Sequence, residues 1–431
     1  MALMLVIADD LTGAADCGVA CAAHGLHTML VLGDSGGDVQ AEALAIDGDT
    51  RRLPAHEAAA ETSRLLRRFL RSEETLLYKK LDSTLRGNFG VELAATLEAR
   101  RTLTGDGDRI VAVLAPAFPA TGRTTVNGHQ LVNGEPLTEF GSGQDGDMAA
   151  LSDIAAMLRA AHLRPALLGL ELIRGGGEIL RNAMRTMAQD ADVLMCDAET
   201  DDDLRRIAET SMALGRGTVW AGSGGLARHL LPAAKLALAP HSSLVQPVLT
   251  GPVLFIVGSG SAVSREQAEV LASRSDTIVM RISAEVLLAG EQSPQWLAYG
   301  LELESALNAG RDVAVMPDQG VRLESAKGPL LTAALSAMVR PLAAKVGALV
   351  VTGGETARAV FEAWGVSGLR LIGEVEAGLT FSVTSGWNRE MPVLTKAGGF
   401  GGPESLLRCR QFLHEFDRGS AADQNRSKGT R

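Results

Sequence analysis

Aromatic side chains are scarce in this 431-residue chain: Phe, Trp and Tyr together make up 4% of it. Its core must therefore be aliphatic, packed from Ala, Leu and Val. Cysteines number four, Cys17, Cys21, Cys196 and Cys409, and their spacing forms neither a disulfide framework nor a paired CxxC zinc pattern. Cys17, Cys21 and His24 can share one helix face, but small buried cysteines on an apolar helix are the commoner reading than a metal site. Net positive charge is also missing. The formal charge is -10, which argues against a broad nucleic-acid-binding surface. An acidic chain that binds an anion needs a local basic pocket instead. The longest stretch without Asp, Glu, Lys or Arg, Leu236–Ser264, contains Pro240, His241, Ser242, Ser243, Gln246 and Pro247, which argues against a membrane span. The start, MALMLVIADD, lacks a basic n-region, so the expected setting is the cytoplasm with no membrane partner. A Walker-type phosphate loop, a GxGxxG after a strand and HExxH are absent, which removes support for Walker-type NTPase, dinucleotide-enzyme and zinc-protease readings.

What the chain does have is a repeated order of apolar run, glycine-bearing loop and helix. Leu3–Ala8, Arg109–Ala115, Asp192–Cys196 and Thr218–Ala221 read as buried strands, followed later by Val253–Val257, Asp312–Met316, Ala348–Thr352 and Val393–Thr395. The length suits two cores rather than one. Leu236–Thr250, with two prolines, a Ser-Ser pair and no charge, marks a boundary near residue 245. The expected fold is α/β: two domains, 1–245 and 246–416, each with a mainly parallel sheet flanked by helices and the active site in the interdomain cleft. The polar stretch 417–431 is expected to be a disordered tail. Thr200 followed by Asp201, Asp202 and Asp203 reads as a helix cap with acids in its first turn rather than as a metal site.

Three segments of the C-terminal half share one design. Leu254–Gln267 runs from a strand into Gly258, Ser259 and Gly260, with Ser264 and Gln267 at capping-box spacing. Ala348–Arg358 ends its strand at Thr352, then carries Gly353, Gly354, Glu355 and Thr356, with Thr352 and Glu355 again spaced as a capping box. Val393–Leu406 leads through Lys396 into Gly398, Gly399, Phe400, Gly401 and Gly402, with Pro403 suited to a first helical turn. Any one strand–glycine–helix turn is weak, because glycine simply permits the turn. Three at the same ends of one sheet make a credible nucleotide site, since bare amides and helix N-termini attract phosphate.

In the N-terminal half, Asp9 and Asp10 follow the first strand directly; one can face the crevice while the other caps a helix starting near Leu11. Asp47–Arg52 (DGDTRR) follows another apolar run. The segment 78–90 is the densest candidate, with Lys79, Lys80, Asp82, Ser83, Thr84, Arg86 and Asn88 close together. Arg grips carboxylates in bidentate fashion, hydroxyl side chains bind sugar hydroxyls, and a carboxylate such as Asp82 can accept a proton from an attacking hydroxyl. A solvated charged loop is the plainer alternative. Ala115–Gly134 has the composition of a long functional loop, with Arg123, Asn127 and His129 as its polar candidates.

VIADDLTGAAD (6–16), KKLDSTLRGN (79–88), APAFPATGRTTVNG (115–128), AGSGGLA (221–227), VTGGETAR (351–358) and KAGGFGG (396–402) occur in an order that resembles the four-carbon acid sugar kinases. The resemblance spans roughly residues 5–406. It implies an N-terminal domain for a sugar acid and a C-terminal domain for ATP, with Mg²⁺ assisting transfer of the γ-phosphate to the terminal hydroxyl. It places the acid at Asp9, Arg51, Lys80, Asp82, Ser83, Thr84 and Arg86, and the nucleotide at Ser259, Gly353, Gly354, Glu355, Thr356, Gly398, Gly399, Phe400 and Gly401. Asp82 is the preferred base with Asp9 second, Arg86 steadies charge, and no residue is assigned to metal. The DSTLRG form looks closer to the D-threonate or D-erythronate branch than to the 3-oxo-tetronate branch. After PLTE (136–139) the chain departs from the family at Phe140–Asp147. A homodimer stays open. The competing readings are a non-catalytic sugar-acid-binding protein and a sugar-acid dehydrogenase or lyase.

Overall fold

The computed structural model describes residues 2–33, 39–105, 109–137, 152–235, 249–318 and 328–415. The boundary expected near residue 245, the departure at Phe140–Asp147 and the tail from Asp417 lie outside them. The chain divides into two compact units, Met1–His241 and Ser242–Arg431.

The first unit is built on strands β1 (Met4–Ala8), β2 (Thr28–Leu32), β3 (Ala43–Asp47), β4 (Leu76–Lys80), β5 (Val111–Ala115), β6 (Arg123–Val126), β7 (His129–Val132), β8 (Glu135–Pro136), β9 (Pro165–Leu168), β10 (Val193–Cys196) and β11 (Thr218–Gly222). Eight of them form a parallel array in the order β2-β3-β1-β4-β11-β5-β10-β9. Most are buried along their whole length, as strands covered on both faces must be. Leu5, Ile7, Ile46, Leu77, Ala112 and Val219 meet Leu65 and Leu66 of the helix Ala55–Phe69 and Leu93 and Leu97 of the helix Phe89–Thr104. On the other face lies the helix Leu11–Ala23, whose Ala, Gly and Cys residues are buried almost all round, with Cys21 Sγ 3.5 Å from Met4 Sδ. The chain leaves β1 toward β2 and β3 and later returns to β4 on its other side. The C-terminal end of β1 is therefore the point where strand order switches, which is where open α/β sheets bind ligands.

Alternation along β4 sends its two lysines to opposite faces. Lys79 turns to the helix Phe89–Thr104 and meets Glu92 at 2.6 Å, both side chains 1% exposed. Its Nζ also donates to the main-chain oxygens of Lys80 (3.1 Å) and Ile7 (3.4 Å). Tyr78 and Lys80 turn to the other side.

The long loop expected at Ala115–Gly134 is instead largely a three-stranded antiparallel sheet, β6-β7-β8. Asn127 (φ 52°) and Gly128 (φ 74°) form its two-residue turn, and Asp197 accepts both their amides at 2.7 and 2.9 Å. An Asn-Gly pair between Thr124–Val126 and Gln130–Val132 is a hairpin signal, and the glycine and proline content had hidden it. Thr200 does cap the helix Asp201–Ser211, with a capping box to Asp203 and three acids in the first turn.

The second unit holds β12 (Val253–Val257), β13 (Ile278–Ser283), β14 (Val313–Asp318), β15 (Ala348–Thr352), β16 (Gly368–Glu376), β17 (Leu379–Ser385) and β18 (Pro392–Lys396), in the order β13-β14-β12-β15-β18-β17-β16. The first five of that order are parallel. The hairpin β16–β17 is antiparallel and was not foreseen. Val257 pairs with Thr352, and Thr352 with Lys396, so the three glycine loops leave adjacent strands at one edge of the sheet. Both expected capping boxes are replaced. Ser261, not Ser264, caps the helix Ala262–Arg274, and the helix Gly354–Trp364 starts from Gly353 (φ 94°) with no side-chain cap. No described helix is long and apolar enough to cross a membrane.

The Lys79–Glu92 pair yields a stability test. Lys79→Met alone leaves Glu92 charged in the core and is expected to cost about 3–5 kcal/mol. Adding Glu92→Leu is expected to recover most of that loss, as read from chemical denaturation of the single and double variants.

Candidate active site

At the switch point the loops after β1, β3 and β4 meet, because Ala8 pairs with both Asp47 and Lys80. Asp9, 3% exposed, receives Arg51 in bidentate fashion, Nε to Oδ2 at 2.7 Å and Nη2 to Oδ1 at 3.0 Å. The same guanidinium reaches Asp10, Nη1 to Oδ2 at 2.9 Å, and stands 3.7 Å from Asp82 Oδ1. The Asp9 main-chain oxygen accepts the amides of Thr50 (3.0 Å) and Arg51 (3.2 Å), which fixes the loop carrying that arginine. Asn88 secures it from the other side by donating to Leu53 O at 2.7 Å. Asp10 also caps the helix Leu11–Ala23, accepting Gly13 N at 2.9 Å and the Thr12 hydroxyl at 2.6 Å. The two adjacent acids thus divide as expected: Asp10 holds the helix, while both hold Arg51.

Lys80 lies beside Asp10 under the first turn of that helix. A Cβ on Gly13 would fall 2.5 Å from Lys80 Nζ, so glycine there is what admits the ammonium group. Lys80 is nearly buried, and its ammonium group makes no hydrogen bond or ion pair among the described residues. Burial disfavours its charge, yet Asp9 and Asp10 raise its pKa above the ordinary value.

Asp82, Ser83, Thr84 and Arg86 form a turn in which Leu85 takes φ 58°. Burial opposes ionisation of Asp82. Arg86 outweighs it, donating from Nε (2.7 Å) and Nη2 (3.0 Å), and with Arg51 and the Thr84 hydroxyl holds the carboxyl well below the usual carboxylate range. Burial has the opposite outcome at Asp9, lifting it above the ordinary value despite Arg51. Arg86 itself is 63% exposed, the most exposed of the paired arginines here. Gln130, on β7, donates to Ser83 O at 2.8 Å and accepts from Thr125, tying the hairpin to this turn. The charge of Arg123 bears on Asp82 as well. Five cations, Arg51, Lys80, Arg86, Arg123 and Arg228, therefore face four carboxylates, Asp9, Asp10, Asp16 and Asp82, a surplus of one that suits a small anion. His129, by contrast, is exposed.

The second unit gathers the residues expected for a nucleotide. A Cβ on Gly398 would strike the Ser259 hydroxyl, one on Gly258 would strike Thr356, and Ser259 N lies 3.8 Å from where a Gly353 Cβ would stand. Gly354 and Glu355 open the uncapped helix beside them. Gly399 and Phe400 lie in the third loop, with the Phe400 ring against Gly378 of the β16–β17 turn. Pattern reading had passed over what holds this loop. Ser261 and Ser264 both donate to Gly398 O at 2.8 Å, and Gln267 donates to Phe400 O and Gly402 O. Lys396, buried at the strand end, donates to Ala397 O, Gly398 O and Phe400 O, and burial lowers its pKa to about 8. A serine or glutamine at capping-box spacing looks alike whether it caps its own helix or braces a neighbouring loop, and no signal in the sequence separates the two.

Among the described residues no group of three or more His, Cys, Asp or Glu could hold a metal ion. A divalent cation therefore has no cage of its own here, and the donor set suits one carried on phosphate oxygens.

Known proteins fit this geometry. A family model described as a sugar-binding N-terminal domain matches residues 4–230, and one described as a nucleotide-binding C-terminal domain matches residues 254–406. A D-threonate kinase of Cupriavidus necator is 37% identical, covering 95% of this chain and 98% of its own. A D-threonate kinase of Bordetella bronchiseptica is 33% identical over 95% and 97%, and a D-erythronate kinase of Heliobacterium modesticaldum is 26% identical over 96% and 97%. Solved proteins of Haemophilus influenzae (21% identical, TM-score 0.70, 95% of this chain and 100% of that one) and Salmonella typhimurium (22%, 0.74, 94% and 98%) share the fold. The chain belongs to the four-carbon acid sugar kinase family, with a sugar-binding N-terminal domain and a nucleotide-binding C-terminal domain.

Proposed function

We propose that the enzyme uses ATP to phosphorylate the terminal hydroxyl of D-threonate or D-erythronate, giving the 4-phosphate. The observation that carries this reading is the cationic surplus at the β1 switch point, where the Lys80 ammonium group feels Asp9 and Asp10 but makes no direct hydrogen bond or ion pair among the described residues. A substrate with one carboxylate at one end and a primary hydroxyl at the other supplies the missing charge and the nucleophile. In this reading residues 1–245 take the acid and residues 246–416 take ATP, and Mg²⁺ travels on the nucleotide, neutralising phosphate charge without a protein cage.

Phosphoryl transfer asks the protein for positioning and charge balance more than for covalent chemistry. Arg51 is committed to Asp9 and Asp10 and serves as the fixed floor of the pocket. Lys80 and Arg86 bind the substrate carboxylate, and Ser83 and Thr84 face its hydroxyls. Arg86, exposed and paired only through Asp82, can move to the incoming carboxylate. That exchange releases Asp82, whose pKa then rises toward the ordinary range, so that it can accept the proton of the attacking hydroxyl. Asp9 is the second candidate base, because burial already favours its protonation. The amides of Gly354, Gly398, Gly399 and Gly401, with Ser259 and Thr356, cradle the phosphates, while Gly353, its amide given to Lys396 O, shapes the turn beside them. A 3-oxo-tetronate is the alternative substrate. Three other relatives bearing that activity in their names are 29–30% identical, and the DSTLRG segment favours the tetronate branch over it.

Incubation of the full chain with ATP and a panel of tetronates, followed by phosphorus NMR of the product, tests the reading. Phosphate on the terminal carbon of D-threonate or D-erythronate is expected, and ATP use independent of any added acid would overturn it. Asp82→Asn is expected to lower turnover about 100-fold or more, with the KM for ATP little changed. Unchanged turnover in this variant, with a loss in Asp9→Asn, would move the base to Asp9. Arg86→Ala is expected to raise the KM for the acid by roughly tenfold or more while leaving that for ATP within about twofold; equal rises would remove Arg86 from the acid site.

A further inference from the structure

The glycine loop after β18 has an unusual division of its main-chain groups. On one side its carbonyls are occupied. Lys396 Nζ donates to Ala397 O (2.9 Å), Gly398 O (3.2 Å) and Phe400 O (2.9 Å). Ser261 and Ser264 add two bonds to Gly398 O, and Gln267 Nε2 adds bonds to Phe400 O (3.1 Å) and Gly402 O (2.9 Å). On the other side the amides of Gly398, Gly399, Gly401 and Gly402 donate to nothing among the described residues; only Phe400 N is used, to Ala397 O. A peptide unit whose oxygen is drawn inward must turn its N–H the opposite way. The glycines make that path allowable, but they do not select it, since glycine populates many others. The selection comes from the side chains beneath.

Lys396 is the centre of that selection. It is 1% exposed and has no carboxylate within ion-pair distance. Glu376, the acid whose charge reaches it, is taken by Arg408 and the Ser405 hydroxyl. An ammonium group stripped of water is costly unless its protons are accepted, and here three carbonyls of one short loop accept them. Its burial is therefore repaid only while the loop holds this shape, and its positive charge stays beneath the amides.

We infer that Lys396 is a positioning residue for nucleotide, which together with Gln267, Ser261 and Ser264 holds the carbonyls of Ala397, Gly398 and Phe400 inward so that the three following amides, of Gly398, Gly399 and Gly401, form a ready-made nest for the nucleotide phosphates. The inference rests on the nucleotide role of this unit argued above. It assigns a task to four side chains that touch no ligand and explains why a lysine stands at the end of the strand. A nest assembled before binding loses little conformational entropy when phosphate arrives.

Titration calorimetry of the full chain with ADP, and separately with D-threonate, tests it. Lys396→Met, which keeps the length and removes the charge and donors, is expected to weaken ADP at least about tenfold, while the affinity for D-threonate stays within about twofold. Lys396→Arg is expected to recover part of the loss. Gln267→Leu, which removes the grip on Phe400 and Gly402 without touching the lysine, is expected to weaken ADP in the same direction, and it carries the test if Lys396→Met does not fold. ADP affinity unchanged from wild type in Lys396→Met or, where that variant is unfolded, in Gln267→Leu, or equal weakening of ADP and D-threonate, would overturn the inference while leaving the kinase reading intact. Failure of the wild-type chain to bind ADP would overturn the nucleotide assignment itself.

Discussion

The N-terminal site depends on one arginine. Arg51 neutralises Asp9 and Asp10, two acids forced together at the end of a buried strand, and stands within 3.7 Å of a third at Asp82. Carboxylates so close and so poorly solvated repel one another, and one or more would stay protonated without a cation among them. Arg51 offsets only part of that negative charge, and Lys80 and Arg86 balance the rest. Everything the pocket is proposed to do with an anion follows from that partition between a buried, fixed arginine and an exposed one.

The two units meet anionic ligands by different means. In the first, charged side chains on three loops converge on a small volume, and selectivity can come from where each cation and hydroxyl stands. In the second, the site we propose is made of main-chain amides, with charge lying behind them at Lys396. Side chains suit a compact acid of defined shape, whereas amides suit phosphates, which many nucleotides share. The same sheet geometry serves both, because parallel strands deliver their C-terminal loops to one edge in either case.

Much of this was legible in the sequence. The parallel strands were, because strands buried on both faces must be apolar throughout, as Val253–Val257 and Ala348–Thr352 are. The cluster at Lys80–Arg86 was legible because charged and hydroxyl residues are so dense there. What could not be read was partnership. Nothing in Asp9 or Asp10 says that both share one guanidinium from a loop 41 residues away, and the spacing of Ser264 and Gln267 fits a helix cap as well as the loop brace they form. The β6–β7 hairpin was missed for a different reason: its strands are short and polar, and their register is set by Asp197 seizing the turn amides, a contact 69 residues distant in the chain. The antiparallel β16–β17 pair was missed although Leu379–Ser385 (LTFSVTS) alternates apolar and polar residues, because its polar face is buried as well and gives no sign of which neighbour it pairs with.

The back-to-back lysines of β4 have a consequence for how that strand finds its place. Were β4 to slip by one position, a lysine would still project to each side of the sheet, so this pair cannot by itself report the error. Tyr78 can. In the observed threading its phenol reaches Ser223 O at 2.5 Å, beside the helix Gly224–Ala234, whereas a shifted strand would drive that hydroxyl among Leu93 and Leu97 with nothing to accept its proton. A single tyrosine in a chain nearly devoid of them thus acts as the proofreading mark for the strand that leads into the Asp82–Arg86 turn.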